Sequence, residues 1–123
     1  MHLIESPTTC LLVEDDHFVS DVFELILEDA GFRVCHVAVS EPEAIDALLK
    51  RRPDIALVDI DIQGGDSMGV ATALLAKDIP VAFVSGHPRT VLPPPFSSLP
   101  YMQKPVTRDA LVGLAKALSR SQP

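Results

Sequence analysis

Basic side chains, cysteine and long apolar runs are all scarce in this chain, and each scarcity removes a class of function. Ten lysines and arginines stand against seventeen acids, a net charge of -7. That balance disfavours direct binding to nucleic acid or to an anionic membrane surface. Cys10 and Cys35 are the two cysteines; without His or Cys neighbours at ligand spacing they make no metal site, and they read as buried free thiols in a reducing compartment. No stretch approaches the roughly 20 apolar residues of a membrane span. The N-terminal MHLIESPTT lacks the basic start and apolar core of a leader, and no internal repeat interrupts the chain. A cytoplasmic protein that touches neither membrane nor nucleic acid is the expectation.

What the chain does have is a regular alternation of strand and helix. Its 123 residues, 47% apolar, suit one domain over 1–123 with a real core and no output segment. Residues 9–13 are a short apolar run. From Phe18 the period lengthens, with Val19, Val22, Phe23, Ile26, Leu27 and Ala30 on one helical face and Asp21, Glu24 and Glu28 on the other. Gly31 supplies the stop. A second strand is predicted over 32–39, then a helix opened by a Ser40/Glu43 capping box and closed at Lys50 by Arg51 and Arg52, whose charges suit its negative end.

The run 55–58 is continuously apolar, as a central strand buried on both faces would be. A loop over 59–66, a helix over 67–77 and a strand over 81–84 follow. Prolines at 88, 93, 94, 95 and 100 make a regular helix improbable over 86–100. A short strand at 101–103 then precedes a helix capped by Thr107, with Leu111, Leu114, Ala115 and Leu118 in one stripe. This rhythm predicts an α/β domain, a doubly wound parallel sheet with helices on both faces.

Polar residues stand where the apolar runs end: Glu14 and Asp15, then Asp59, Ser85 and Lys104. In an open parallel sheet the crevice beyond the carboxyl ends of the strands gathers such residues into one site. Carboxylates about 4 Å apart repel by roughly 4 kcal/mol at an effective dielectric near 20, so the cluster calls for a cation. Hard oxygen donors suit Mg2+, which binds through a few carboxylates and substrate phosphate. Asp59 is then placed to attack phosphorus, with Ser85 and Lys104 placed to hold phosphoryl oxygens.

The segments VEDD, LVDID, VSG and QKPV resemble the receiver domain of bacterial two-component response regulators across essentially the whole chain. The resemblance implies a flavodoxin-like (CheY-like) five-stranded sheet of order 2-1-3-4-5, with Asp59 as phosphoacceptor. It implies Glu14, Asp15, Asp59 and the backbone carbonyl of Asp61 as Mg2+ ligands, Ser85 and Tyr101 as switch residues, and a cis Lys104–Pro105 bond. Its partners would be a sensor histidine kinase or phosphotransfer protein, and an unknown downstream protein. The family's fourth helix is replaced here by the proline-rich loop, and 83–87 partly resemble a stand-alone subgroup with a Phe-Ala-Thr-Gly-Tyr strand end. His87 replaces the aromatic there and reads as a solvated loop residue, with a switching role as the alternative.

Two other functions fit parts of the pattern. Asp59-Ile60-Asp61 resembles the nucleophile motif of haloacid-dehalogenase-type phosphatases. Those enzymes need a further acidic pair on a later strand, whereas Asp109 is the sole acid after Lys104. A non-phosphorylated pseudo-receiver docking module is opposed by the intact set Glu14, Asp15, Asp59, Ser85 and Lys104.

Overall fold

Each apolar run ends up as a buried strand, and each amphipathic stretch as a helix laid across it. A computed structural model describes residues 6–121; the first five residues of the N-terminal stretch considered above lie outside it. In chain order the elements are β1 (Thr9–Val13), α1 (His17–Asp29), β2 (Arg33–Ala38), α2 (Glu41–Lys50), β3 (Ile55–Val58), β4 (Asp61–Ile62) and β5 (Gly65–Asp66). Next come α3 (Met68–Ala76), β6 (Val81–Ser85), β7 (Tyr101–Gln103) and α4 (Arg108–Arg120). Among the described residues no helix is long and apolar enough to cross a membrane.

The central sheet is parallel throughout, in the order β2-β1-β3-β6-β7. The sequence pattern predicts five strands in the order 2-1-3-4-5; within its predicted 59–66 loop the chain also forms β4 and β5, which pair with each other as an antiparallel hairpin off the sheet, so the last two sheet strands are sixth and seventh in the chain. All residues of β3 and β6 are buried, because helices cover both faces. One face packs Leu48 of α2 and Val70 and Leu74 of α3 over Leu11, Val58 and Phe83. The other packs Phe23 and Leu27 of α1 and Leu111, Ala115 and Leu118 of α4 over Leu12, Leu57 and Val84. Each such side chain contributes about 1.5–3 kcal/mol on full burial.

Cys10 belongs to the second face and Cys35 packs against the first, so the thiols leave the sheet on opposite sides. Both are free, and Cys35 Sγ donates to the Cys10 carbonyl at 3.4 Å.

Local chemistry sets the helix ends. Asp16 caps α1 by accepting from the Phe18 and Val19 amides, and Gly31 ends it at φ 96°, a left-handed value that glycine adopts without strain. Half of the expected capping box forms: Ser40 Oγ accepts from the Glu43 amide at 3.4 Å, while the Glu43 carboxylate turns to His36 Nε2 at 3.0 Å. Arg52 does not serve its own helix. It donates to the carbonyls of Lys77 at 2.9 Å and Asp78 at 3.3 Å, just beyond α3.

The 86–100 segment forms only two single 3-10 turns, Arg89–Val91 and Phe96–Ser98. It is nonetheless anchored. Leu92 is buried, Phe96 meets Phe83 edge-on at 6.4 Å, and Arg89 donates to the carbonyls of Ser97 at 2.5 Å and Leu99 at 2.7 Å. The Arg89 guanidinium also lies 5.9 Å from the centre of the Tyr101 ring, within cation–π range. The Pro94–Pro95 and Lys104–Pro105 peptide bonds are both cis.

Candidate functional site

Parallel pairing aligns the carboxyl ends of β1, β3, β6 and β7; Ser85 is the last residue of β6, and the residue after each of the other three continues its ladder. The Glu14 amide bonds the Ala38 carbonyl at 2.9 Å, the Asp59 amide bonds Val13 at 2.8 Å, and the Lys104 amide bonds Ser85 at 2.8 Å. These extensions hold the polar residues at fixed heights above the sheet. Carboxylate oxygens of Glu14, Asp15 and Asp59 lie within 4.8 Å of one another. The Lys104 ammonium joins two of them, 2.5 Å from Glu14 Oε1 and 2.9 Å from Asp59 Oδ2.

Burial decides the electrostatics here. Glu14 is only 4% exposed; loss of hydration pushes its carboxyl above the usual range, against the downward pull of the Lys104 hydrogen bond. Burial also acts to lower the Lys104 pKa, but hydrogen bonds to Glu14 and Asp59 outweigh it and hold the amine above its ordinary value. Backbone amides complete the set: Asp16 donates to Glu14 Oε2 at 3.1 Å and Ile60 to Asp59 Oδ1 at 2.7 Å. Asp15 is exposed and makes no hydrogen bond through its carboxylate among the described residues. Two of the three carboxylates share one ammonium and the third has none, so the cluster keeps an excess of negative charge built from hard oxygen donors, and these residues fit a divalent Mg2+.

Ser85 is fully buried. The β3–β6 register pairs Val58 with Phe83, so the strand ends bearing Asp59 and Ser85 run side by side. Tyr101 is half-buried, its ring tilted against Phe83 at 6.5 Å, and its hydroxyl donates to the His87 carbonyl. Asp61 begins β4, two residues past Asp59.

Contacts of two residues at the site were not anticipated. His87 is not merely solvated: its ring Nε2 lies 2.5 Å from Asp61 Oδ2, and its amide donates to Ser85 Oγ at 3.3 Å. Ser67, read as the first residue of a helix, is buried just before α3. Its hydroxyl makes no cap bond and instead donates to the Asp59 carbonyl at 2.5 Å. A small polar residue ahead of an apolar helix was the available signal, and capping is its ordinary meaning.

Known proteins share this fold. The family model for the response regulator receiver domain matches residues 10–116. The solution structure of SdrG from Sphingomonas melonis Fr1 superposes with a TM-score of 0.81 at 29% identity, covering 94% of this chain and 98% of that one. The receiver domain of the PhyR response regulator from Erythrobacter litoralis has the same fold, with a TM-score of 0.85 at 22% identity over 95% of this chain and 93% of that one. A protein-glutamate methylesterase/protein-glutamine glutaminase of Halobacterium salinarum is 34% identical over 73 residues, 59% of this chain and 21% of that protein. The chain thus matches only about a fifth of the length of such curated relatives.

Proposed function

Because the chain belongs to the response regulator receiver domain family, we propose that Asp59 accepts a phosphoryl group from the phosphohistidine of a sensor histidine kinase or phosphotransfer protein. An Asp59 carboxylate oxygen attacks phosphorus in line as the phosphorus–nitrogen bond to histidine breaks, and hydrolysis later returns the free carboxylate. The observation that carries this reading is the Lys104 ammonium held between Glu14 and Asp59 at 2.5 and 2.9 Å.

Fixed by two carboxylates, Lys104 has its charge beside Asp59 before any donor arrives, so no reorganisation is needed as negative charge develops. The Ile60 amide and the Lys104 ammonium each engage one Asp59 oxygen, which orients the carboxylate for attack. Ser85 supplies a hydroxyl from the neighbouring strand end, and Tyr101 is the aromatic that follows it. Glu14, Asp15, Asp59 and the Asp61 backbone carbonyl would hold Mg2+, which when bound supplies charge neutralisation for the incoming phosphoryl oxygens. Signalling then passes through contacts with a downstream protein. The Asp61 carboxylate is bonded to His87, which speaks against its service as the acid–base partner of a phosphatase.

Incubation with acetyl phosphate and Mg2+, followed by intact mass measurement, tests the proposal. A base-labile gain of one phosphoryl group, absent in Asp59→Asn, is the expected result. No gain from either the small donor or a cognate kinase would leave a docking module, and turnover of a phosphate ester abolished by Asp61→Ala would point to a phosphatase.

A further inference from the structure

Between β2 and the carboxyl-terminal half of α2 lies a cavity of about 250 Å³ that shares no residue with the acidic cluster. At roughly 30 Å³ per water it has room for about eight waters, or for one organic molecule of about as many heavy atoms. Its walls are apolar: Leu11, Leu48 and Pro53 are buried, and Ala47 and Cys35 half-buried. Charge at its edge is not balanced. Lys50 Nζ is paired with Asp46 Oδ2 and His36 Nε2 with Glu43 Oε1, each at 3.0 Å, which leaves Arg51 without a carboxylate partner among the described residues. The guanidinium stands near the cavity's thiol: burial pushes Cys35 upward, and after a backbone hydrogen bond it is the charge of Arg51 that pulls against the rise. Asp54 acts on the same thiol more weakly than Arg51 and gives its carboxylate to the Thr9 amide and hydroxyl at 2.8 and 3.1 Å. The carboxyl end of α2 carries roughly half a negative charge, less than the full positive charge of Arg51.

We propose that this cavity is a binding site for a small carboxylate with an apolar body of about six to eight carbons, the body lying on Leu11, Ala47, Leu48 and Pro53 and the carboxylate paired with Arg51. Apolar walls with one or two convergent polar groups are the pattern of small-molecule sites, and a volume just under their usual range calls for a ligand smaller than a nucleotide or a peptide. The planar fork of an arginine meets both oxygens of a carboxylate at once, which neither chloride nor a neutral amide can match. Burial of the apolar body supplies most of the affinity. The ion pair, formed at an exposed edge, mainly selects among ligands of one shape.

Cys35 reports whether the cavity is filled. Cys10 is fully buried, so iodoacetamide adds to Cys35 alone in the folded protein, and a ligand lying over that thiol blocks the reaction. Benzoate is the probe, with benzamide as its uncharged counterpart of the same shape and sodium chloride to match ionic strength. A ligand of this size should bind at about 1 mM, so at about 10 mM benzoate the rate of alkylation, read by intact mass, should fall about tenfold. Benzamide should need about fivefold more for the same protection. Each rate is compared with that of the same protein without ligand, because Arg51 also acts on the thiol. In Arg51→Gln the advantage of benzoate should vanish while benzamide still protects, and Arg51→Lys, which keeps the charge, should keep part of it; circular dichroism confirms that both variants fold. No protection by benzoate, equal protection by the two ligands, or an advantage that survives in Arg51→Gln would overturn the proposal. The measurement needs no phosphoryl donor, so its outcome is separate from that of the Asp59 reading.

Discussion

Ser67 donates its hydroxyl to the carbonyl oxygen of Asp59 at 2.5 Å, and its amide bonds the neighbouring Ile60 carbonyl at 2.9 Å. A buried serine just before α3 thereby clamps the backbone turn on which Asp59 stands.

Ser67→Ala strands that carbonyl without a partner and should lower stability by about 1–2 kcal/mol, the penalty of an unmet buried acceptor. Because the turn also aims Asp59, phosphorylation by acetyl phosphate should slow. Urea unfolding and timed intact mass measurements check the two effects; unchanged kinetics would mean that the β3 ladder, the Ile60 amide and Lys104 aim the carboxylate without Ser67.

Asp15 offers the cleanest test of the metal site, since it is exposed and bears no load in the fold. Added Mg2+ should raise the melting temperature of the wild-type protein, by about 2.7 kcal/mol in stability at a hundredfold excess over the dissociation constant. Asp15→Asn should change resting stability by less than about 0.5 kcal/mol and abolish most of the Mg2+ effect. A thermal shift titration measures both.

Lys104→Met removes the ammonium from between Glu14 and Asp59. Two partly or wholly buried carboxylates then face each other unpaired, a change that should lower stability by roughly 2–4 kcal/mol. Mg2+ should recover a larger share in the variant than in the wild type, because the cation then relieves a repulsion that the lysine otherwise relieves. Thermal melts of both proteins with and without Mg2+ decide this.

The cysteines predict an alkaline limit. Burial pushes both thiols above the ordinary 9.0, for Cys10 with the added repulsion of Cys35. The folded protein keeps these protons after the unfolded chain begins to release them. Their contribution to stability is therefore complete below about pH 9 and declines as pH rises further. Denaturant midpoints at about pH 8 and pH 10 should show a smaller fall in Cys10→Ala than in the wild type. At neutral pH iodoacetamide should leave Cys10 unmodified in the folded protein and reach Cys35 slowly.

The parts of this molecule legible in its sequence are those governed by local pattern. Glu14, Asp15, Asp59 and Lys104 each follow an apolar run, and parallel pairing leaves them no option but to meet. Hidden were features that depend on a partner distant in the chain. Ser67 stands where a cap belongs, and its bond to Asp59 needs the turn between them to be known. His87 and Asp61 are 26 residues apart, as are Arg52 and Asp78. The β4–β5 hairpin has two-residue strands, too short for any alternation to register. Glu43 satisfied the capping-box pattern, yet a histidine on the adjacent strand supplied a competing donor.

Arg89 has a consequence for how this surface can change over time. Its guanidinium grips backbone carbonyls at residues 97 and 99, and every amino acid carries a carbonyl. That grip is therefore indifferent to which side chains stand at 97 and 99, although Leu99 also packs against the core, and it does require the planar fork of donors at position 89. The segment between β6 and β7 is thus held at a few points, Arg89 on backbone carbonyls and Leu92 and Phe96 in the core, with no helical ladder. Exposed positions such as Thr90 stand outside that scaffold and are open to change.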